Sequence, residues 1–377
     1  MEEKLNTEII VPRKGLRTLM AGLYVHIPFC KKRCLYCDFF STTLLERREQ
    51  YVEALLKEIS ARKHEAGEPI RTIYIGGGTP SLLDTIDIFR IVRTIGTEDA
   101  EEITVEVNPG DVTERYLSEL KQIGVNRLSI GVQSFKDHLL QLIGRRHNAV
   151  QAIDAVRMAQ KAGFDNISID LIYALPTQTM GHWTADVELA LRLGVQHISC
   201  YGLMYEEGTA LTALRDKGEI TPIDEELENT MYDHLCKRLK KEGWTHYEVS
   251  NFALPGFKAK HNSSYWDGTP YVGVGAGAHS YIRNIRSWNP DNLDEYIRGI
   301  QHDTLVRESE TLTEKDLYNE RVMLGLRTCR GIEADLLRKD VAPLIEQKLL
   351  RHTEQGRIAA TQEGLHILNR IIEELMI

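Results

Sequence analysis

No stretch of this 377-residue chain approaches the roughly 18–20 consecutive apolar residues of a membrane span. Its first residues, with Glu2, Glu3, Lys4 and Glu8, lack the basic-then-apolar order of a signal peptide. Positive charge is short as well. The 46 Lys and Arg face 55 Asp and Glu, a formal charge of −9, which argues against a broad nucleic-acid footprint. Six cysteines are too few at this length for a disulfide framework, and nothing else suggests secretion. What is present is an ordinary globular composition, 42% hydrophobic and 27% charged, able to bury a large core. Length alone implies two or three domains, unless a barrel absorbs most of the chain. A cytoplasmic protein is the reading.

Three of the six cysteines fall in one short run, Tyr24-Val25-His26-Ile27-Pro28-Phe29-Cys30-Lys31-Lys32-Arg33-Cys34-Leu35-Tyr36-Cys37-Asp38-Phe39. Cys30, Cys34 and Cys37 have the spacing C-x3-C-x2-C. Three thiolates on one loop suit a metal centre with one position left open, since a [4Fe–4S] cluster normally takes four Cys. Structural zinc is the competing reading, with His26 as fourth ligand, but no second Cys pair or H-x3-5-H follows. A disulfide within so tight a triplet is weaker still. Cys200, Cys236 and Cys329 stand alone and read as buried thiols.

Beyond this loop the pattern alternates strand and helix. Short β-branched runs at Leu23–Ile27, Thr72–Ile75, Ile103–Val107, Arg127–Ile130, Ile167–Ile172 and His197–Tyr201 read as buried parallel strands. Helical periods fall between and after them, at Arg47–His64, Asp84–Ile95, Thr113–Gln122, Val150–Ala162, Trp183–Leu193 and Glu225–Glu242. Gly96, Gly124, Gly163, Gly194 and Gly243 sit where five of these helices need a cap. Repeated βα units build a barrel or a doubly wound sheet. Residues 1–19 read as an extension, either an ordered arm or a segment ahead of a start at Met20. Residues 20–243 form the core. Residues 244–290, rich in glycine and aromatics, read as a sheet extension folding over the barrel mouth. Residues 291–377 read as mainly helical, with Thr313 capping Glu314–Leu326, then a strand at Arg357–Thr361 and a helix at Gln362–Met376. This tail carries 12 Lys and Arg against 17 Asp and Glu, so a DNA-reading winged helix is disfavoured, and it reads as a lid or packing domain.

The cysteine spacing and the surrounding Tyr-Val-His-Ile-Pro-Phe-Cys resemble the radical S-adenosylmethionine (SAM) superfamily, in its oxygen-independent coproporphyrinogen oxidase-like branch. The resemblance covers about residues 20–377, including Gly325-Leu326-Arg327-Thr328-Cys329-Arg330-Gly331-Ile332. It implies a partial (β/α)6 barrel with a helical C-terminal domain, a [4Fe–4S] cluster on Cys30, Cys34 and Cys37, and SAM chelated at the open iron. Gly76, Gly77, Gly78 and Thr79 then match the glycine motif for the SAM amino group. As a lone glycine run they make only a βα turn, and no Lys-Ser/Thr follows to form a phosphate loop. Glu106, Gln133, Arg145 and Asp170, together with Tyr24, match further SAM contacts. Singly, a strand-end carboxylate reads as a helix cap and Arg145 as a surface cation; in series at successive strand ends they favour a ligand.

Two features separate subfamilies. Coproporphyrinogen enzymes carry a further Cys two residues after the third cluster ligand, where this chain has Phe39. They also place a longer segment before the first strand. His261-Asn262-Ser263-Ser264-Tyr265-Trp266 matches H-N-x-x-Y-W and looks like the signature of the HemW heme chaperones. That resemblance implies heme as cargo, held with His261, Tyr265 and Trp266, and heme-acceptor proteins as partners. It leaves a homodimer and peripheral membrane association open and predicts no nucleic acid. On residue types alone, the favoured reading makes His261 a capped loop histidine and the aromatics core, and it is the whole-motif match that reverses this; His279 is a second candidate iron ligand. The competing class is an enzyme, either coproporphyrinogen III dehydrogenase or a related methyltransferase.

Overall fold

The computed structural model describes residues 20–377, so both readings of residues 1–19 lie outside the described residues. Strands β1 (Ala21–Ile27), β2 (Ile70–Gly77), β3 (Glu102–Val107), β4 (Arg127–Gln133), β5 (Ile167–Tyr173) and β6 (His197–Gly202) lie side by side in chain order, all parallel. Each coincides with a run anticipated from sequence. Helices α1 (Arg48–Arg62), α2 (Thr85–Ile95), α3 (Glu114–Ile123), α4 (Asp137–Leu142), α5 (Ala149–Lys161), α6 (Met180–Arg192), α7 (Ala210–Asp216) and α8 (Glu225–Lys241) complete this half. The short helices α4 and α7 are additional to the six anticipated ones. All five glycines at the expected helix ends have positive φ.

The strands have two different faces. Outward residues such as Leu23, Ile73, Val105, Leu128, Ile169 and Ile198 are fully buried and join one large apolar core with the helices. The alternate residues are polar: Tyr24 and His26 on β1, Tyr74 on β2, Thr104 and Glu106 on β3, Arg127 and Ser129 on β4, Ser168 and Asp170 on β5, His197 and Ser199 on β6. Their cross-strand register aligns Tyr24, Tyr74, Thr104 and Arg127, and separately Glu106, Ser129, Ser168 and His197. Period-two alternation thus makes a lumen that is polar throughout.

The sheet continues beyond the six strands. β7 (Thr245–Glu248) and β8 (Asn251–Ala253) extend it past β6, and β9 (Tyr271–Val274), β10 (His279–Ile282), β11 (Ile285–Trp288) and β12 (Glu308–Thr311) extend it past β1, giving twelve strands. The segment between them differs from expectation. Helix α9 (Lys260–Asp267) packs near the N-terminal ends of β1–β3, at the opposite end from the barrel mouth. The cause is Glu102, whose buried carboxylate accepts the N–H groups of Lys260 and His261 at 2.9 Å each. It satisfies the first turn of a helix whose own cap residue, Ala259, offers no side-chain acceptor.

Helix α10 (Leu293–Gln301) packs against α1. Then α11 (Glu314–Leu326), α12 (Ala342–Glu346), α13 (Gln362–His366) and α14 (Leu368–Leu375) surround a second core of Val322, Leu326, Leu344, Leu350, Ile358 and Ile372. Thr313 caps α11 as anticipated, its side chain accepting from the Asp316 N–H. A three-stranded antiparallel sheet, β13 (Ile332–Glu333), β14 (Leu350–His352) and β15 (Arg357–Ala360), joins these helices; sequence marked only its last strand. This unit packs rather than covers. It joins β7 through the Cys329 N–H and the Tyr247 carbonyl, and α8 through His366 and Asp233. Of the three lone cysteines only Cys200 is buried; Cys236 is half-buried and Cys329 exposed, because Cys329 lies in the turn after α11.

Candidate functional site

A cavity of about 460 Å³ opens at the C-terminal ends of the parallel strands, and every residue lining it lies between Cys30 and Glu206. Cys30, Cys34 and Cys37 all face it. Their loop is braced from several sides. The Cys30 N–H donates to the Thr42 carbonyl, Leu35 N–H to the Ile143 carbonyl, and Leu211 N–H to the Leu35 carbonyl. Lys31 and Arg146 meet on the same carboxylate, Asp111, which ties the loop to the segment after β3. His26 does not turn to the thiols. Its ring nitrogens lie 2.9 Å from the Phe40 carbonyl and 3.0 Å from the Tyr24 hydroxyl, so His26 is not placed as a fourth zinc ligand.

Among the described residues, no three His, Cys, Asp or Glu side chains converge as they would on one metal ion. A cluster makes a different demand, because each thiolate binds a separate iron and the three need only border one space. Burial raises the Cys30 thiol and pushes Cys37 up to about 11. Neither is activated as a nucleophile; both would lose their proton to iron.

The glycine run follows β2 into the cavity. The Gly78 N–H donates to the Ile27 carbonyl at 2.8 Å. A Cβ on Gly77, where φ is +114°, would lie 2.6 Å from the His26 ring, and one on Gly78 would lie 2.8 Å from the Phe29 carbonyl oxygen. Side chains are excluded there, leaving backbone polar groups at the cavity wall. Thr79 completes the turn, its hydroxyl 3.6 Å from Cys30 Sγ.

Neither strand-end carboxylate caps a helix. Glu106 accepts from the Tyr74 hydroxyl at 2.7 Å and from the Gly77 N–H at 3.1 Å. Burial pushes its carboxyl up to about 7, against those two hydrogen bonds and with the Asp170 charge adding to the rise. Asp170 accepts from Ser129 Oγ at 3.3 Å and is also raised by burial, with the Ser199 and Ser129 hydroxyls opposing. Arg145 is no surface cation. Its Nη2 donates to the Gly131 carbonyl at 2.5 Å and its Nη1 lies 3.5 Å from Cys34 Sγ. Gln133 sits at a register shift between β4 and β5 with φ +67°, a conformation that costs a non-glycine residue of order 1–3 kcal/mol and here brings it to the cavity wall.

Seven of the nine sequence-named SAM positions therefore line one cavity: Gly77, Gly78, Thr79, Glu106, Gln133, Arg145 and Asp170. Gly76 and Tyr24 do not line it. Gly76 packs against the Glu106 carboxyl, and Tyr24 stacks on Tyr74 with its hydroxyl on His26. Sequence reasoning missed Tyr74, Ser129 and Ser199, which hold the two carboxylates, and the exposed apolar rim of Phe39, Tyr201 and Met204. The period-two polar residues within the strands were the available signal.

The H-N-x-x-Y-W residues lie on α9, away from this cavity. His261 is fully buried, its Nδ1 2.9 Å from Thr72 Oγ1 and its Nε2 2.8 Å from the Tyr265 hydroxyl. Its ring stacks on Tyr74 at 5.2 Å, and burial with the Arg127 charge lowers it to about 3, so it is neutral. Trp266 instead lines a second cavity of about 580 Å³ between α9, β10 and α11, with Tyr281, Leu317, Leu324, Arg321 and Cys329 among its walls. His279 lies on β10, stacked on Trp288.

Residues 24–190 match the family model described as the radical SAM superfamily. The chain is 39% identical to the heme chaperone HemW of Lactococcus lactis subsp. lactis (strain IL1403), over 94% of this chain and 97% of that protein. It is 34% identical to the heme chaperone HemW of Bacillus subtilis (strain 168), over 93% and 98%. Among solved structures, coproporphyrinogen III oxidase (HemN) from Escherichia coli, a radical SAM enzyme, is similar with a TM-score of 0.79 and 25% identity, over 94% of this chain and 89% of that one.

Proposed function

The chain belongs to the HemW heme chaperones within the radical SAM superfamily, and we propose that it binds heme and hands it to acceptor proteins from a body that carries a [4Fe–4S] cluster and SAM. The observation that carries this reading is likeness to HemW proteins over nearly the whole of both chains, α9 and the C-terminal unit included.

The residues present fit both cofactors. Three thiols border one cavity, beside backbone that no side chain obstructs. A [4Fe–4S] cluster held by these thiols would supply an electron for reductive chemistry on SAM. The protein's own part is binding and placement. The Gly77–Thr79 backbone and Glu106 would receive the SAM amino group, Arg145 its carboxylate, and Asp170 the ribose hydroxyls. Arg145 also lies against Cys34, so it would fix substrate and cluster loop together. Gln133, held on the wall by its strained backbone, would close the ligand's remaining side.

Heme would sit away from SAM, in the cavity beside Trp266. The indole and Tyr281 offer flat apolar walls, and Arg321 offers a cation for a propionate. His261 and Tyr265 would act there by holding α9, since both ring nitrogens of His261 are already engaged. We further propose action in the cytoplasm, with acceptors reached at the membrane periphery and a homodimer as the working form. No helix among the described residues is long and apolar enough to cross a membrane.

The enzyme reading rests on the likeness to HemN. Phe39 stands where that branch carries its further Cys, and it is exposed at the cavity mouth. Anaerobic reconstitution followed by coproporphyrinogen III, SAM and reductant separates the two readings. The chaperone reading expects heme binding without turnover; protoporphyrinogen appearing in the assay would overturn it.

A further inference from the structure

Arg127 lies at the start of β4, inside the barrel, and is 1% exposed. Its Nε and Nη1 have no hydrogen-bond partner, and neither does the Thr104 hydroxyl, its register neighbour on β3. No carboxylate forms an ion pair with it among the described residues. A guanidinium enclosed without a close counter-ion costs several kcal/mol, so its charge has to be compensated at longer range. Inward residues of β4 run Arg127, Ser129, Gly131, and Ser129 bonds Asp170 and pairs in register with Glu106. Arg127 therefore lies one layer beneath the two carboxylates at the cavity floor. Glu102, at the start of β3, already holds the first turn of α9.

We propose that Arg127 is a positioning residue for SAM: an unpaired cation, fixed below the floor, that favours the charged forms of Glu106 and Asp170 so that they can receive the ligand's amino group and ribose. This rests on the SAM site described above. The groups facing Glu106 are Tyr74 and Tyr24 from β2 and β1, Asp170 from β5, Tyr201 from β6, Tyr265 from α9 and Arg127 itself. Arg127 is a cation that acts on both carboxyls, and Arg145 is a second one that acts on Asp170. The Arg127 charge opposes the effect of burial on both carboxyls, and it adds to the burial that keeps the nearby His261 and His197 neutral. The two histidines thus add no further positive charge to the lumen.

The test is the pH profile of SAM affinity, measured by equilibrium dialysis on cluster-loaded full-length protein from pH 6 to 9. Wild type should bind more tightly as pH rises, with a midpoint near neutrality. Arg127→Gln should move that midpoint up by about one unit, weaken binding several-fold at pH 7 and regain most of it at pH 9. Arg127→Lys should keep the wild-type midpoint. Arg127→Met, which keeps side-chain length, provides the same comparison should Arg127→Gln not fold. Equal weakening of a neutral variant at every pH would mean that Arg127 only packs the barrel, and the proposal would fail. Wild-type binding that ignores pH would also overturn it while leaving the SAM site standing; no SAM binding at all would remove both.

Discussion

The Tyr265 hydroxyl lies 2.8 Å from His261 Nε2, so two of the motif residues satisfy one another inside the protein. Thr72 takes the other ring nitrogen, and Glu102 takes the backbone N–H of His261. A histidine held at three atoms and stacked on Tyr74 is a fixed core residue. Iron ligation by it would require breaking a buried hydrogen bond worth about 1 kcal/mol net and exposing the ring. Trp266, on the same helix, faces the open cavity instead.

Removing any one of Cys30, Cys34 or Cys37 as Ala should abolish or sharply reduce the brown absorbance after anaerobic reconstitution, along with iron and sulfide content. The three thiols border one cavity, as ligands of a multi-iron centre would. Full cluster content in Cys34→Ala would exclude the assignment.

Glu106 gives a pH dependence with a definite sign. Its carboxyl is raised from 4.5 to about 7, chiefly by burial. Stability from this group is fully present below about 4.5 and is lost as pH rises through about 7, where the buried carboxyl must ionise. SAM binding runs the other way, because the N–H groups of the ligand's amino group favour the carboxylate. Binding at pH 6.5 should therefore release protons, seen as buffer-dependent heats in calorimetry, and Glu106→Gln should abolish that dependence and weaken affinity. Arg145→Lys should weaken binding as well, since a point cation cannot bond the Gly131 carbonyl and a ligand carboxylate as a planar fork does. Unchanged affinity in both variants would make the strand-end series structural.

The six barrel strands were legible, and seven of the nine residues named for SAM gather at one cavity, because each rests on local information: β-branched runs, glycine caps, and motif residues at strand ends. The site's supporting groups were not. Tyr74, Ser129 and Arg127 look like ordinary strand residues until the curvature of the sheet turns every second one inward. The position of α9 was illegible for a similar reason. Its first turn is capped by Glu102, more than 150 residues earlier, and nothing near His261 announces that partner. Sequence read an aromatic segment as cover for the barrel mouth; a distant carboxylate draws it to the other end.

Glu102 can be tested directly. Glu102→Gln keeps the shape but turns an acceptor for two N–H groups into one that must aim a single carbonyl oxygen. We expect a loss of about 1–3 kcal/mol in stability, read from urea unfolding. Heme affinity should fall with it, because α9 carries both Tyr265 and Trp266. An unchanged unfolding midpoint would show that the helix is held elsewhere.

Heme binding separates the roles within the motif. Trp266→Ala removes a half-buried ring from the wall of the 580 Å³ cavity, so heme affinity should drop several-fold with little change in melting temperature. His261→Ala leaves a hole among Gly22, Thr72 and Tyr74, and should destabilise the fold by about 2–4 kcal/mol. Its effect on the Soret band should therefore track unfolding, and cooling should restore heme uptake. A shifted Soret band in a His261→Ala protein that is still fully folded would instead mark His261 as the iron ligand, reached by an opening of α9. Heme uptake indifferent to both variants would move the site off this helix altogether, with His279 on β10 the next residue to change.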